Sequence, residues 1–358
     1  MELFKAHKQW AERPDDERFS SLAELHAACK EYASSAAEKN VPFSDMRVEN
    51  LDGDVQLVGR AGVPAKLTHW AFSQLCSRVE VPASYLRDLP ATLACQNLNH
   101  GLAQRVKDVT GNALASLLFH KNGGLLLRAI TTDSYARIWN YEVAERLMDL
   151  EGSGWKPATP DIRKIDDKLP LYASDHDMFV FLSNRNVTVS EAGSSGAVYR
   201  GVIVENSEVG ASALKLTRFL YREMCGNHII WGASNVMEIS VRHVGEARQK
   251  WNHYAMQMRR YAESSASDDE AKIASAKRAI IGGTKEDVLD ALFGKRSLGL
   301  SRKAIESGYD ACIEAQDGSP KTQWGIVQGL TRYSQTIPYA DKRTSVDVAA
   351  GKIMDLVF

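Results

Sequence analysis

The sequence predicts an α+β protein with an antiparallel β-sheet core, an N-terminal helical segment and a helical C-terminal third. Three observations predict it. Residues 48–60, VENLDGDVQLVGR, alternate apolar and polar side chains around Asp52-Gly53, a dipeptide suited to a two-residue hairpin turn. Residues 114–131 repeat the signal, with LASLLFH and LLLRAIT flanking Asn122-Gly123-Gly124. Beyond Gly245 the apolar spacing becomes helical up to the C-terminus, with breaks at Gly282-Gly283, Gly294, Gly318-Ser319-Pro320 and Ile337-Pro338.

The remaining elements follow in order. Alanine, leucine and glutamate from about Ser20 to Lys39 favour a helix capped by Ser20 or Ser21. Residues 67–106 carry the spacing of three short helices, with Pro82 and Pro90 suited to first turns. A helix starts near Trp139-Asn140-Tyr141, and DMFVFLSN and AVYRGVIVEN predict strands joined through the glycines at 193 and 196. From about Gly210 to Cys225 the pattern predicts a further helix, followed by the strands HIIWG and MEISVRHV. The expected division is an N-terminal segment over 1–110, a central antiparallel core over 111–245 and a helical region over 246–358 that packs on it.

Bulk charge excludes a polybasic protein: 44 Lys and Arg stand against 45 Asp and Glu in 358 residues, a net charge of -1. The charge is segregated, however. Residues 1–60 hold 8 basic and 12 acidic residues, whereas residues 215–260 hold 8 basic and 3 acidic, a local balance of +5. The five cysteines are scattered without a CxxC pair, which argues against a disulfide framework or a zinc ribbon. No stretch approaches 18 apolar residues and the N-terminus lacks an apolar signal region, so a cytoplasmic protein without a membrane partner is expected.

The basic stretch opens with LTRFLYREMCGNHIIWG, residues 216–232. As a helix, it would align Leu216, Leu220 and Met224 on a core stripe and Lys215, Arg218 and Arg222 on a cationic ridge. Two readings stay open. One is a solvated face whose cations complement the helix dipole. The other is a phosphate-contacting ridge continued by Arg242, Arg248 and Lys250, with Trp251 and Tyr254 as platforms for unstacked bases. Cys225-Gly226-Asn227 suits a helix C-cap, while Cys225, His228 and His243 form an incomplete metal set.

Asp175-His176-Asp177 is either punctuation before a strand or a carboxylate–histidine pairing for a metal or a proton. Arg128 and Arg137 are expected to come close, paired with Asp133 or Glu142, with Tyr135 and Trp139 on a shared side. IGGTKED at 281–287 lacks phosphate-loop spacing, and no GxSxG, HExxH or EF-hand pattern occurs. No catalytic residue, resident metal or cofactor is therefore assigned.

Several ordered segments carry a family resemblance: THWAFSQLCSRVEVPASYLRDLPATLACQNLNHGL, LLLRAITTDSYARIWNYEVAERL, VENSEVGASALKLTRFLYREMCGNHIIWG, SVRHVG and WGIVQGLTRYSQTIPYADKRTSVDVAAGKI. Together, from about residue 48 to the C-terminus, they resemble the phage- and plasmid-related family called domain of unknown function 932. The resemblance brings forward Arg218, Cys225 and Asn227, and the pair Arg242-His243. Where that family commonly has Asn-Gly after the cysteine, this chain has Gly226-Asn227-His228. A mobile-element setting is implied. The function expected from it is single-stranded DNA binding, for annealing or protection, by a homo-oligomer. The alternatives are a protein-interaction module acting on a host factor, as in counter-defence, and a metal-dependent nuclease-like enzyme.

Overall fold

The computed structural model describes residues 17–108, 114–121, 123–157, 171–189, 198–222, 227–229, 239–247, 249, 251, 256, 259–261, 263–316, 318–334, 336–337 and 340–358. The chain begins with β1 (Arg18–Phe19), α1 (Leu22–Ser34), β2 (Ala36–Pro42), β3 (Arg47–Leu51), β4 (Asp54–Val58) and β5 (Pro64–Leu67). Three helices follow, α2 (His69–Arg78), α3 (Ala83–Arg87) and α4 (Ala91–Asp108), then the hairpin β6 (Leu114–Lys121) and β7 (Leu125–Thr132). Next come α5 (Asn140–Met148), β8 (Trp155–Pro157), β9 (Leu171–Ala173), β10 (Met178–Val189), β11 (Val198–Asn206), β12 (Leu214–Arg222), β13 (Asn227–Ile229) and β14 (Ile239–Val241). The C-terminal third holds α6 (Ser267–Arg278), α7 (Lys285–Phe293), α8 (Arg302–Ala315), α9 (Gln323–Ser334) and α10 (Ala340–Ile353).

The strands form two sheets, and the fold is α+β. The six-stranded sheet runs β2-β6-β7-β5-β4-β3, antiparallel except for the β5–β7 pair. Asp52 and Gly53 take φ of 55° and 86°, the left-handed conformation that their residue types tolerate, so the β3–β4 hairpin closes where the sequence places it. Leu75 of α2, Leu86 of α3 and Leu98 of α4 pack on Leu57, Leu117 and Leu127 of this sheet. Because β6 and β7 lie between β2 and β5 in this order, the sheet takes strands from both sides of residue 110.

The eight-stranded sheet runs β1-β9-β10-β11-β12-β13, with β14 paired to β12 and β8 to β10. One face buries Val180, Leu182, Val202, Val204, Leu214 and Leu216 against Leu22 and Leu25 of α1 and Val143 and Leu147 of α5. Arg200 of β11 ties the C-terminal third to this sheet: Nε donates to Asp269 Oδ2 at 2.9 Å, and Nη1 and Nη2 donate to the carbonyls of Tyr261, Ser264 and Ser265, each at 2.7 Å. At the centre of the C-terminal helices, α9 is buried along most of its length. It crosses α8 where Gly329 meets Gly308, too closely for a side chain.

Two elements depart from expectation. The first helix ends at Ser34, and residues 36–42 form the edge strand β2, drawn out of the helical pattern by pairing with β6. Ser21, not Ser20, is its N-cap, accepting from the Glu24 amide at 3.2 Å. The helix expected over 210–225 is instead the strand β12. Spacings of four, as in Leu216, Leu220 and Met224, fit a helical period and a strand period of two equally well. The stretch LKLTRFLYR also alternates leucines with polar or aromatic residues, and pairing with β11 from Leu216↔Val204 to Arg222↔Val198 selects the strand.

Candidate functional site

The strand removes the helical register on which the expected cationic ridge rests. Side chains alternate across a sheet, so Lys215 lies on the face opposite buried Leu214 and Leu216. Lys215 is also partly neutralised by its cross-strand neighbour, with Nζ 3.8 Å from Glu205 Oε2. Ser240 of β14 pairs with Lys215, and after the strand ends at buried Val241 come exposed Arg242 and buried His243. Trp251, expected as a stacking platform, is 3% exposed within the core of the eight-stranded sheet and offers no face to a base. Arg248, Lys250, Tyr254 and Cys225 lie outside the described residues, as do the side chains of Arg218, Arg222 and His228.

The strongest concentration of polar groups is elsewhere, where the β11–β12 connection docks against the six-stranded sheet. Val209 O accepts from Trp70 Nε1 and Gln74 Nε2 of α2, at 2.9 and 2.8 Å. Glu208 Oε2 accepts from Arg128 Nη2 of β7 at 3.0 Å, and Oε1 accepts from the Asn140 amide at 2.9 Å. That carboxylate sits at the N-terminus of α5, where the helix dipole favours it. Arg128 Nη2 also donates to Asp175 O at 2.9 Å, and its guanidinium lies 4.5 Å from the Tyr32 ring centroid. Tyr135 Oη donates to Ser207 O at 3.1 Å.

Arg137 lies beside this latch. Its Nε donates to Glu38 Oε1 at 2.5 Å, and its Cζ sits 5.2 and 5.6 Å from the rings of Tyr135 and Trp139. The His243 ring stacks on Tyr135 at 5.0 Å with planes 1° apart, and its Nδ1 accepts from the Ile138 amide at 3.3 Å. Burial and then the Arg137 charge push the His243 pKa down to about 4, against a raising contribution from the Ala136 backbone. Burial likewise pushes the nearby Cys29 thiol up to about 12, which keeps it protonated and unreactive as a nucleophile. The arginines thus pair with Glu208 and Glu38, not with Asp133 or Glu142. Glu142 Oε2 instead accepts from the Trp139 amide at the start of α5.

Asp175-His176-Asp177 forms the turn between β9 and β10. Ser174 N donates to Asp177 O at 2.8 Å and Ser174 Oγ to Asp177 Oδ1 at 2.9 Å, while His176 packs edge-on to Trp70. These contacts account for the triplet as strand punctuation. Among the described residues no group of three or more His, Cys, Asp or Glu is placed to hold a metal ion. No helix among them is long and apolar enough to cross a membrane.

A family model described as Domain of unknown function (DUF932) matches residues 131–345, more than half of the chain. The chain belongs to this family. The DUF932 match begins within β7 and takes in Arg137, Glu208, His243 and the β11–β12 connection, together with most of the eight-stranded sheet. Residues 48–130, which the sequence resemblance included, lie outside it, and with them Arg128. The latch therefore joins the DUF932 region to the sheet that precedes it. No curated protein and no solved structure matches the chain.

Proposed function

We propose that the protein binds single-stranded DNA through exposed cations of the 215–260 stretch, in the service of a phage, plasmid or other mobile element. Annealing or protection of the strand is the corresponding activity, carried out by a homo-oligomer. The observation that carries this reading is Arg242. It is exposed, forms no ion pair among the described residues and follows directly on β14, whose Ser240 pairs with Lys215. Arg259 and Arg260 add two exposed cations in the same stretch. Backbone phosphates are bound by displacing counterions, which requires accessible charge of this kind.

The test is the affinity of a labelled oligothymidylate for the full chain over a salt series. The expected outcome is a log-affinity that falls linearly with log salt, with a shallower slope after Arg242→Glu. A flat salt dependence in the wild-type protein, or no binding at low salt, ends this reading.

A further inference from the structure

Around Arg137 the buried donors outnumber the acceptors. The residue is 4% exposed and its Nε is engaged by Glu38, yet Nη1 and Nη2 are both buried with no hydrogen-bond acceptor. Buried donors are almost always matched in folded proteins. These two form the end-on edge of the guanidinium fork, whose spacing fits two oxygens of a single oxyanion. The rings of Tyr135 and Trp139 restrain the guanidinium, so the edge is held in place before any ligand arrives.

His243, which stacks on the same Tyr135 ring, carries a third unmatched donor. Its Nδ1 accepts the Ile138 N–H, so the neutral ring carries its proton on Nε2, and Nε2 is also buried without a partner. Glu38, with 43% of its side chain exposed, is where this buried cation reaches solvent.

We propose that the Arg137 edge is an oxyanion site that takes a phosphate group between Nη1 and Nη2. The planar edge offers two N–H donors to two oxygens of one tetrahedral phosphate. Glu38 is a like charge beside the incoming anion and so weakens the site. Inorganic phosphate, a nucleotide and the terminal phosphate of a DNA strand all present this group. The site stands whether or not the exposed cations bind DNA.

The experiment is thermal unfolding of the full chain titrated with sodium phosphate, against sodium chloride at matched ionic strength. The melting temperature is expected to rise with phosphate alone. Arg137→Lys keeps the charge, loses the fork and is expected to abolish most of the rise. Glu38→Gln is expected to shift the response to lower phosphate concentration. A wild-type response equal in the two salts overturns the site, as does a full response in a folded Arg137→Lys protein. Should Arg137→Lys fail to fold, Glu38→Gln decides, and an unchanged phosphate response overturns the proposal. Competition with 5′-phosphorylated and 5′-hydroxyl oligothymidylates then separates a strand end from a free anion. Only the phosphorylated strand displaces phosphate if the strand end is the ligand, and neither does if the ligand is free.

Discussion

Arg128 and Glu208 connect the two sheets through a buried ion pair, Nη2 to Oε2 at 3.0 Å, with side chains 1% and 3% exposed. The pair spans 80 residues of sequence and joins the centre of the six-stranded sheet to the β11–β12 connection of the other. Removing one member leaves an uncompensated charge in the interior. Arg128→Met or Glu208→Leu is therefore expected to destabilise the chain by about 3–5 kcal/mol. The double variant is expected to recover much of that loss, because both charges then leave the interior together. Urea unfolding midpoints of the two single variants and the double variant check this. Additive losses in the double variant would contradict it.

His243 gives the fold a pH dependence with a definite sign. Its pKa is pushed down to about 4 from an ordinary 6.5, so the unfolded chain takes up the proton first. Stability is complete above pH 6.5 and is lost as the pH falls through that window to about 4. The full loss is on the order of 3 kcal/mol. Protonation of Nδ1 also breaks its bond to the Ile138 amide and adds a charge near Arg137. His243→Phe keeps an aromatic ring against Tyr135 and is expected to flatten the stability profile between neutrality and the onset of carboxylate titration. Chemical denaturation at a series of pH values measures it, and an equal slope in the variant would rule out His243 as the source.

The crossing of α8 and α9 leaves no room for a methyl group. A Cβ on Gly329 would lie 2.0 Å from the Gly308 carbonyl oxygen and 2.8 Å from Cys312 Cβ, so the helices must separate. Gly329→Ala is expected to cost about 1–3 kcal/mol, the usual penalty of overpacking. Gly59 has nothing within 4 Å of such an atom and no positive φ, so Gly59→Ala is expected to stay within about 0.5 kcal/mol of wild type. Thermal unfolding of the two variants side by side makes the comparison.

How much of this was legible depends on the range over which each signal acts. The β3–β4 hairpin could be read because Asp52 and Gly53 suit the left-handed conformation that the turn demands. The helices of the C-terminal third could be read from local spacing and glycine breaks. Strand β12 could not, because leucines four apart serve either period and only the partner strand decides. With the helix went the helical register that the ridge required. The Arg128 and Arg137 corner was visible as a cluster, but Glu208 and Glu38 lie 80 and 99 residues from their partners. Nothing local marks such carboxylates until two sheets bring them together.

Trp251 and Arg242 separate a core role from a binding role within one basic stretch. Trp251 is buried against the eight-stranded sheet, so Trp251→Ala is expected to cost about 3–5 kcal/mol of stability. The milder Trp251→Phe is expected to leave oligothymidylate affinity unchanged, since a buried ring cannot stack on a base. Arg242 is exposed and unpaired among the described residues, so Arg242→Ala should leave stability within about 0.5 kcal/mol. If it contacts a phosphate, its removal lowers the salt slope of binding by about 1. Fluorescence anisotropy at several salt concentrations, with a melting curve for each variant, reads both quantities. A Trp251→Phe protein that melts normally but loses DNA would place the ring at the interface after all. An unchanged slope in Arg242→Ala would remove that residue from it.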